Sequence, residues 1–548
     1  MTRRFAVAVV LVLVLVAVSL LTFARAHSGN TQQDDAFILM VYIRHVLASG
    51  SIIWNQADGP VDGCTSMLDL LVKALAVAMS HGDIVRVTFW VTLFFHAILG
   101  VVGMAISFAA SPHARGRWAW SFVAGLLFAA SPALADGSSY LLETPLYVCV
   151  GLLLVGMLLW CRSYSAGKRA LLVVLACLVT LARPEGLALA SLVLVVFAVE
   201  QYSLSWSARL FTVGAFAALA AAYLVWHRSY FGYWAPNSYY AKTSALRWNE
   251  VKDGYWYIRH YLEDASGRVG LLPILVCAGA VFARGFVDRV ARFRFTAVAA
   301  TSVLMLLVVV VSGGDSYRGA RFLGLPIALA LLALVYGFLH ALGRLRLLFG
   351  AVIALVSVVQ LVSAFAHLPD AYARARTEWP FSQEMFWCEL QSVTALQKAI
   401  PRGTVAQSDF QRLKYFADEF TVIDLHGLND REIAHQPWTD YVGWGKYDAA
   451  NGIRRHPDAW FWGYKFRLHH LSFADIPMRR LVNDADIESQ VVGYAGTPFA
   501  AKPDAAAALV DQYLPATFPV CGRFINLIVR KELADNFRRA GFVVGSTD

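Results

Sequence analysis

Long apolar runs recur through the first two thirds of this 548-residue chain, and they constrain its fold more than any other feature. Helices of this length, rising 1.5 Å per residue, suit a hydrocarbon layer about 30 Å thick. The backbone must satisfy its own hydrogen bonds there, and the apolar positions are contiguous rather than alternating, so the runs predict helices and not a β-barrel. The sequence predicts about eleven spans, at residues 5–24, 84–110, 118–134, 145–161, 169–182, 186–202, 207–227, 269–283, 295–312, 322–340 and 347–366.

The composition and the charge distribution agree with a membrane protein. Only 16% of the residues are charged, whereas a typical soluble domain has about 25%. The formal net charge of +9 does not indicate a nucleic-acid partner, because much of the basic excess lies in short connections between spans. Such connections mark the cytoplasmic side. An odd number of spans then places the C-terminal segment outside the cytoplasm.

The first span has an alternative interpretation. The N-terminal segment resembles a cleavable signal peptide. Two arginines, Arg3 and Arg4, are followed by an apolar run and the tripeptide Ala24-Arg25-Ala26. The run of about 19 residues suits a retained span better. The loop that follows it is exported in either case.

The pattern predicts two domains. Residues 1–366 form the transmembrane domain, with a first exported loop at 27–83 that contains two helices at the membrane surface. A second exported loop at 228–268 is rich in aromatic residues. Residues 367–548 form an exported soluble α/β domain, because apolar segments alternate there with turn signals.

The seven cysteines show no paired spacing that would indicate a zinc site. Cys388 and Cys521 both lie in the predicted exported domain. Because that compartment is oxidising, we expect these two residues to form a disulfide.

Two adjacent aspartates, Asp34 and Asp35, precede the first exported helix. One aspartate is enough to cap a helix. A second carboxylate at the boundary between water and lipid suits a general base or a metal ligand. The pair is therefore the candidate catalytic centre.

Further ionisable residues cluster at the exported ends of the predicted spans. The segments ETP (143–145) and RPE (183–185) have the form of helix starts, but an exported arginine opposes the topology rule and suits a phosphate. The segment 313–321 contains two glycines, Asp315 and two arginines. The arginines either extend their charged ends toward the membrane interface or bind a lipid phosphate. Asp424 and Asp430 suit turns and are weaker candidates for binding an acceptor. The candidate donor-binding residues are Glu143, Arg183, Glu185, Asn237, Tyr240, Lys242, Asp315, Arg318 and Arg321.

Carboxylates, cations and aromatic residues at one exported face together suit the transfer of a group from a lipid phosphate. The sequence contains no glycine-rich phosphate loop, so nucleotide-driven transport has no support. A lipid or polysaccharide transporter is the alternative from another class, but it should place charges near the bilayer midplane. A non-catalytic assembly protein would not need the aspartate pair.

The order of these segments resembles the C-type glycosyltransferase superfamily, whose members use polyprenyl-phosphate sugars. Within it, the chain is most similar to bacterial arabinofuranosyltransferase-like proteins, the group of the mycobacterial terminal β-(1→2) arabinofuranosyltransferase. The matching stretches are DDAFILMVYIRHVLASGSIIWN (34–55), LLETPLY (141–147), LARPEGLALA (181–190), YWAPNSYYAK (233–242), GGDSYRGARFLGLP (313–326) and VIDLHGLND (422–430).

The resemblance implies a polyprenyl-phosphate donor, such as decaprenyl-phosphate arabinofuranose, and a glycan or protein acceptor outside the bacterial cytoplasmic membrane. It implies that Asp34 or Asp35 takes the proton of the acceptor hydroxyl. Arginines and Lys242 would hold the donor phosphate, and acidic residues would orient the sugar or the arginines. Some members of the superfamily use a divalent cation, and the sequence leaves that cofactor open. Mannosyl and aminoarabinose transferases of the same fold are alternatives.

Overall fold

The computed structural model describes most of the chain, and helices dominate its first two thirds. The described residues are 2–27, 34–110, 116–242, 248–263, 265–315, 320–366, 368–407, 410–437, 453–461, 471–483 and 503–548. The α-helices are α1 (Thr2–His27), α2 (Asp34–Ser49), α3 (Met67–Ser80), α4 (Ile84–Ala110), α5 (Arg117–Ala129), α6 (Pro132–Ser139), α7 (Thr144–Trp160), α8 (Ala166–Ala182), α9 (Gly186–Glu200), α10 (Trp206–Phe231), α11 (Asn237–Lys242), α12 (Trp248–Glu263), α13 (Ala265–Ala280), α14 (Arg289–Val311), α15 (Gly324–His340), α16 (Gly343–Ala366), α17 (Leu368–Ala399), α18 (Gln411–Phe416), α19 (Arg431–Ala434), α20 (Met478–Asn483), α21 (Pro503–Gln512) and α22 (Ala534–Arg539).

Most residues of each predicted span lie on helices. Five of these, α1, α4, α10, α14 and α16, are each long and apolar enough to cross a membrane, and α5 with α6, bent by 43°, gives a sixth. Apolar stretches of α7, α9, α13 and α15 are shorter, and a helix of 17 residues is only about 25 Å long. The chain is therefore a multi-pass helical membrane protein, as predicted.

The chain divides into two compact units that differ from the predicted domains. The first unit contains residues 1–32, 66–226 and 245–376, and the second contains 33–65, 227–244 and 377–548. Both exported loops were predicted to lie wholly in the transmembrane domain. Instead, part of each loop belongs to the same unit as the C-terminal segment.

Two helices at the centre of the first unit are apolar on every side. Nearly all residues of α7 and all but two of α15 are buried, as expected for helices surrounded by other helices. A buried arginine of α14, Arg294, donates hydrogen bonds to the carbonyl oxygens of Leu159 and Cys161 at the end of α7. It thereby satisfies carbonyl groups that a helix end leaves without intrahelical partners.

The helix α3 of the first unit is amphipathic. Leu71, Leu75 and Met79 are 49%, 61% and 75% exposed along one stripe, while Asp69 and Lys73 are buried on the other side. An exposed apolar stripe on a membrane protein suits contact with lipid. The sequence predicted this helix at the membrane surface.

The second unit contains a six-stranded mixed sheet with the order β2-β1-β3-β5-β4-β6. The strands are β1 (Thr404–Gln407), β2 (Thr421–Asp424), β3 (Ala459–Trp460), β4 (Tyr513–Val520), β5 (Arg523–Arg530) and β6 (Val543–Val544). β1 runs parallel to β2 and β3, and the other pairs are antiparallel. Cys521, in the turn between β4 and β5, forms a disulfide with Cys388 of α17. The soluble α/β architecture agrees with the sequence analysis.

The helix α2 was expected to lie at the membrane surface with one apolar face. It begins at Asp34, and residues 36–43 are all buried within the second unit. The ring of Phe37 lies against Tyr415 and Phe416 of α18. Eight consecutive buried residues occupy every face of a helix, so apolar residues are needed all round α2.

Candidate active site

Arg183 is the centre of a buried ion cluster in the first unit. It follows α8 with an extended backbone, as expected for a residue before a proline. Its Nε and Nη2 atoms donate to the Glu185 carboxylate at 3.2 and 3.0 Å, and its Nη1 atom donates to Glu143. The arginine is 6% exposed. Both predicted glutamates therefore hold the guanidinium in place.

A second ion pair joins Asp315 to Arg321. The Nε atom of Arg321 lies 2.8 Å from Oδ2 of Asp315, and Arg321 is also buried. Just before it, the backbone N–H of Ala320 donates to Asp136 of α6 at 2.7 Å. Asp136 was not predicted, although an acid two residues after the predicted span 118–134 was a usable signal.

The two arginines line one pocket within the first unit. The pocket encloses about 330 Å³ of empty space, part of it open to solvent. The Phe322 ring lies 4.4 Å from the guanidinium carbon of Arg183, a favourable cation–π distance. The lining residues are Tyr147, Arg183, Glu185, Met305, Val308, Val309, Arg321, Phe322, Leu325 and Pro326.

The charges around this pocket nearly balance. Two guanidinium groups face three carboxylates, those of Glu143, Glu185 and Asp315. Burial acts to raise the pKa of Glu185, but the charges of Arg183 and Arg321 and the hydrogen bonds to the carboxylate together lower it, so this carboxylate stays ionised. A phosphate that enters the pocket must therefore share Arg183 with the carboxylates. A site of mixed charge suits a ligand with an anionic group beside several hydroxyls.

Asp34 is placed in the second unit by three hydrogen bonds. Its Oδ2 atom accepts from the backbone N–H of Gln411 at 2.6 Å, and its Oδ1 atom accepts from the N–H and Nε of Arg412 at 3.1 and 3.2 Å. The aspartate thus caps α18 while it opens α2. Burial raises the pKa of Asp34, and the Arg412 charge and the backbone donors only partly offset that effect. A buried carboxylate with a raised pKa suits a general base.

Two residues near Asp34, Arg412 and Glu389, were not predicted from the sequence. Arg412 also pairs with Glu389 of α17, with 2.9 Å between its Nη1 atom and Oε2 of the glutamate. Burial raises the pKa of Glu389 to about 7, although the Arg412 charge opposes it. Both residues lie on helices without any motif, so no local pattern identified them.

Three predicted binding residues organise one turn of the second unit. The Asn237 side-chain amide donates to the carbonyl oxygens of Gly427, Leu428 and Asp430 at 2.7, 3.1 and 3.2 Å. Asp424 accepts from Asn429 at 2.9 Å, and burial raises its pKa to about 7. Asp430 caps α19. These contacts support the simpler interpretation of both aspartates as turn residues.

The remaining candidates are distributed as follows. The Tyr240 ring lies 4.5 Å from His435, which stacks on Tyr233 at 3.8 Å. Lys242 is exposed, and Asp35 is half-buried. Arg318 lies outside the described residues. The structure therefore groups Glu143, Arg183, Glu185, Asp315 and Arg321 in the first unit and Asp34, Asp35, Asn237, Tyr240, Lys242, Asp424 and Asp430 in the second.

The described part of the chain contains no group of three or more His, Cys, Asp or Glu residues arranged to hold a metal ion. The divalent cation left open by the sequence therefore gains no ligand set from these residues.

No protein-family model matches the chain, and no curated protein sequence matches it. Solved structures of ArnT from Cupriavidus metallidurans are similar. The apo structure has a TM-score of 0.51 at 12% identity, over 96% of this chain and 98% of that chain. The undecaprenyl phosphate-bound structure has a TM-score of 0.48 at 14% identity, over 78% and 88% of the two chains.

The chain has the fold of apo ArnT. This similarity confirms the predicted fold class, a polytopic α-helical membrane protein of the C-type glycosyltransferase fold with a C-terminal α/β domain. At 12% identity the match to ArnT concerns the fold alone.

Proposed function

We propose that this protein is a membrane glycosyltransferase that moves a sugar from a polyprenyl phosphate to a hydroxyl of a cell-envelope glycan or a protein. The observation that carries the proposal is the pocket of the first unit, where Arg183, Glu185 and Arg321 converge beside Phe322. Buried ionisable groups in a membrane protein are costly and are functional by default. The shared fold with ArnT supports the same class of reaction.

The arginines are assigned to the donor phosphate. Arginine presents several N–H groups in a plane and stays charged when buried, which suits a phosphate ester. As the bond between the sugar and the phosphate breaks, negative charge grows on the leaving phosphate. Fixed cations stabilise that charge without reorganising. Glu143 and Glu185 keep Arg183 in place before the donor arrives.

Asp34 is assigned as the base, with Asp35 as the alternative. The acceptor oxygen forms a bond to the anomeric carbon, and its proton passes to the carboxylate. The carbon–oxygen bond to the phosphate breaks, and the phosphate leaves with the electron pair. Since the donor already carries an activated phosphate, the reaction needs no nucleotide on the exported side.

The motif series favours D-arabinofuranose as the sugar and the decaprenyl-phosphate sugar as its donor. Mannose or aminoarabinose transfer on the same fold is the alternative. Basic connections such as 162–169 and 344–346 support an orientation in a bacterial cytoplasmic membrane with the reaction on the exported side.

The experiment is a donor panel with purified protein in liposomes. We expect transfer from one labelled polyprenyl-phosphate sugar to an added acceptor glycan, and none from the corresponding nucleotide sugar. A matched Arg162→Lys control, at an exposed position, should transfer as well as the wild type. Movement of labelled lipid or glycan across the bilayer with no covalent transfer would support a transporter instead.

A further inference from the structure

Lys73 of α3 is a buried cation that the proposed reaction does not use. It is 1% exposed, and its ammonium group donates to Asp69 at 2.7 Å and to the carbonyl oxygen of Leu141 at 3.0 Å. Burying an ammonium group is costly unless it is paired and hydrogen-bonded. An ion pair with Asp69 alone would not require the second contact, which reaches a backbone atom 68 residues away.

Leu141 lies in a strained turn between α6 and α7. Its φ of 59° is in the left-handed region, which a bulky residue seldom adopts. Such strain persists only where the surrounding structure imposes it, and it is common beside functional sites. The turn is held on one side by a hydrogen bond from the Leu141 N–H to Ser138 and on the other by Lys73.

The strained turn determines where Glu143 lies. Glu143 follows Leu141 by two residues and pairs with Arg183, which lines the pocket. The charge of Glu143 also contributes to the raised pKa of Asp69, after the larger effect of burial. The contacts therefore run without interruption from Asp69 and Lys73 through Leu141 to Glu143 and Arg183.

We propose that Lys73 is a positioning residue for the pocket, which holds the turn at Leu141 so that Glu143 fixes Arg183 for an anionic ligand. Asp69 pairs with the ammonium group of Lys73 and orients it. The identity of the ligand as a polyprenyl phosphate rests on the proposed function. The contact between Lys73 and the turn is seen in the structure and is independent of that function.

The test uses the full-length protein and a variant that removes both buried charges, Asp69→Asn with Lys73→Met. This double substitution avoids leaving one unpaired charge, so the variant should fold, which thermal unfolding verifies. We expect its affinity for undecaprenyl phosphate to fall at least tenfold. Lys168→Met, at an exposed lysine, is the matched control and should bind normally.

A third substitution tests whether Lys73 acts by positioning the turn at Leu141 or only by pairing with Asp69. Leu141→Gly relieves the strain, because glycine adopts positive φ freely. Leu141→Gly alone carries the cost of removing a buried side chain, so it is the reference. Added to the double variant, glycine should restore affinity to the level of that single variant. The proposal is overturned if the double variant binds like the wild type, or if glycine at position 141 restores nothing.

Hydrogen–deuterium exchange separates this proposal from the proposed function. Amides at residues 140–147 should exchange faster in the folded double variant than in the wild type. If the wild type binds no polyprenyl phosphate but exchange increases, the proposed function fails while the positioning role stands. Unchanged exchange in the double variant would overturn the positioning role.

Discussion

At the scale of single residues, the candidate chemistry depends on ions that the protein fixes before any ligand arrives. Arg183 directs three nitrogen atoms at two carboxylates, and Asp34 accepts three hydrogen bonds. Such contacts reduce the reorganisation needed during the reaction. They also explain why these residues tolerate burial, since each charge has a partner.

Replacing Arg183 with lysine tests the planar geometry of the guanidinium. Lysine keeps the charge, but its single ammonium group cannot donate to Glu143 and Glu185 at the same time, as the planar guanidinium does. Charged hydrogen bonds contribute roughly 1.5–3 kcal/mol each, so we expect kcat/KM for the donor to fall by about tenfold to a hundredfold. Steady-state kinetics measures this value, and an unchanged kcat/KM would remove Arg183 from the donor site.

The pH dependence of transfer tests Asp34. A base must be ionised, so the rate should fall as the pH drops through the pKa of Asp34, which burial raises above the ordinary aspartate value. The Arg412 charge lowers this pKa, so Arg412→Gln should move the acid limb of the profile to higher pH.

The neighbouring glutamate gives the opposite control. Burial raises the pKa of Glu389 to about 7, and this residue shares the Arg412 guanidinium with Asp34. Glu389→Gln removes the second carboxylate from Arg412, so the limb should move to lower pH. Shifts of both variants in the same direction would contradict the assignment of the limb to Asp34.

At the scale of elements, helices and strands of the second unit are joined by contacts between residues that are distant in sequence. The disulfide between Cys388 and Cys521 joins α17 to the turn of the β4–β5 hairpin across 133 residues. A link across a long segment restricts the unfolded chain strongly.

Cys388→Ser should therefore destabilise the second unit by about 2–5 kcal/mol. Denaturant unfolding followed by the fluorescence of the full-length protein measures the change. Cys177→Ser, which removes a free thiol of α8, is the matched control. A loss no larger than that of the control would show that the disulfide adds little.

Some features at this scale were predictable from sequence, and others were not. Apolar runs predicted the helices because lipid and the interior of a helix bundle both require apolar side chains along a span. The role of Asn237 was not predictable, since its partners lie about 190 residues further along the chain. Arg412 and Glu389 were not predicted either, because their partner Asp34 lies more than 350 residues earlier in the chain and neither residue belongs to a local motif.

At the scale of the whole molecule, the sequence predicted the multi-pass helical fold and the soluble α/β domain, and the similarity to ArnT agrees with both. The division of the chain differed from the predicted domains, because residues 33–65 and 227–244 belong to the second unit. The alternation of apolar segments and turn signals indicates that residues 367–548 form a folded domain. It does not reveal which earlier segments pack against that domain.

The central claim is that the protein transfers sugar with Asp34 as the base, and transfer by the aspartate variants tests it most directly. Wild type, Asp34→Asn and Asp35→Asn are compared at matched expression in membranes supplied with labelled polyprenyl-phosphate arabinose. General base catalysis contributes roughly a hundredfold to ten-thousandfold, so Asp34→Asn should lose at least a hundredfold in rate and Asp35→Asn much less. Full activity of Asp34→Asn would contradict the account.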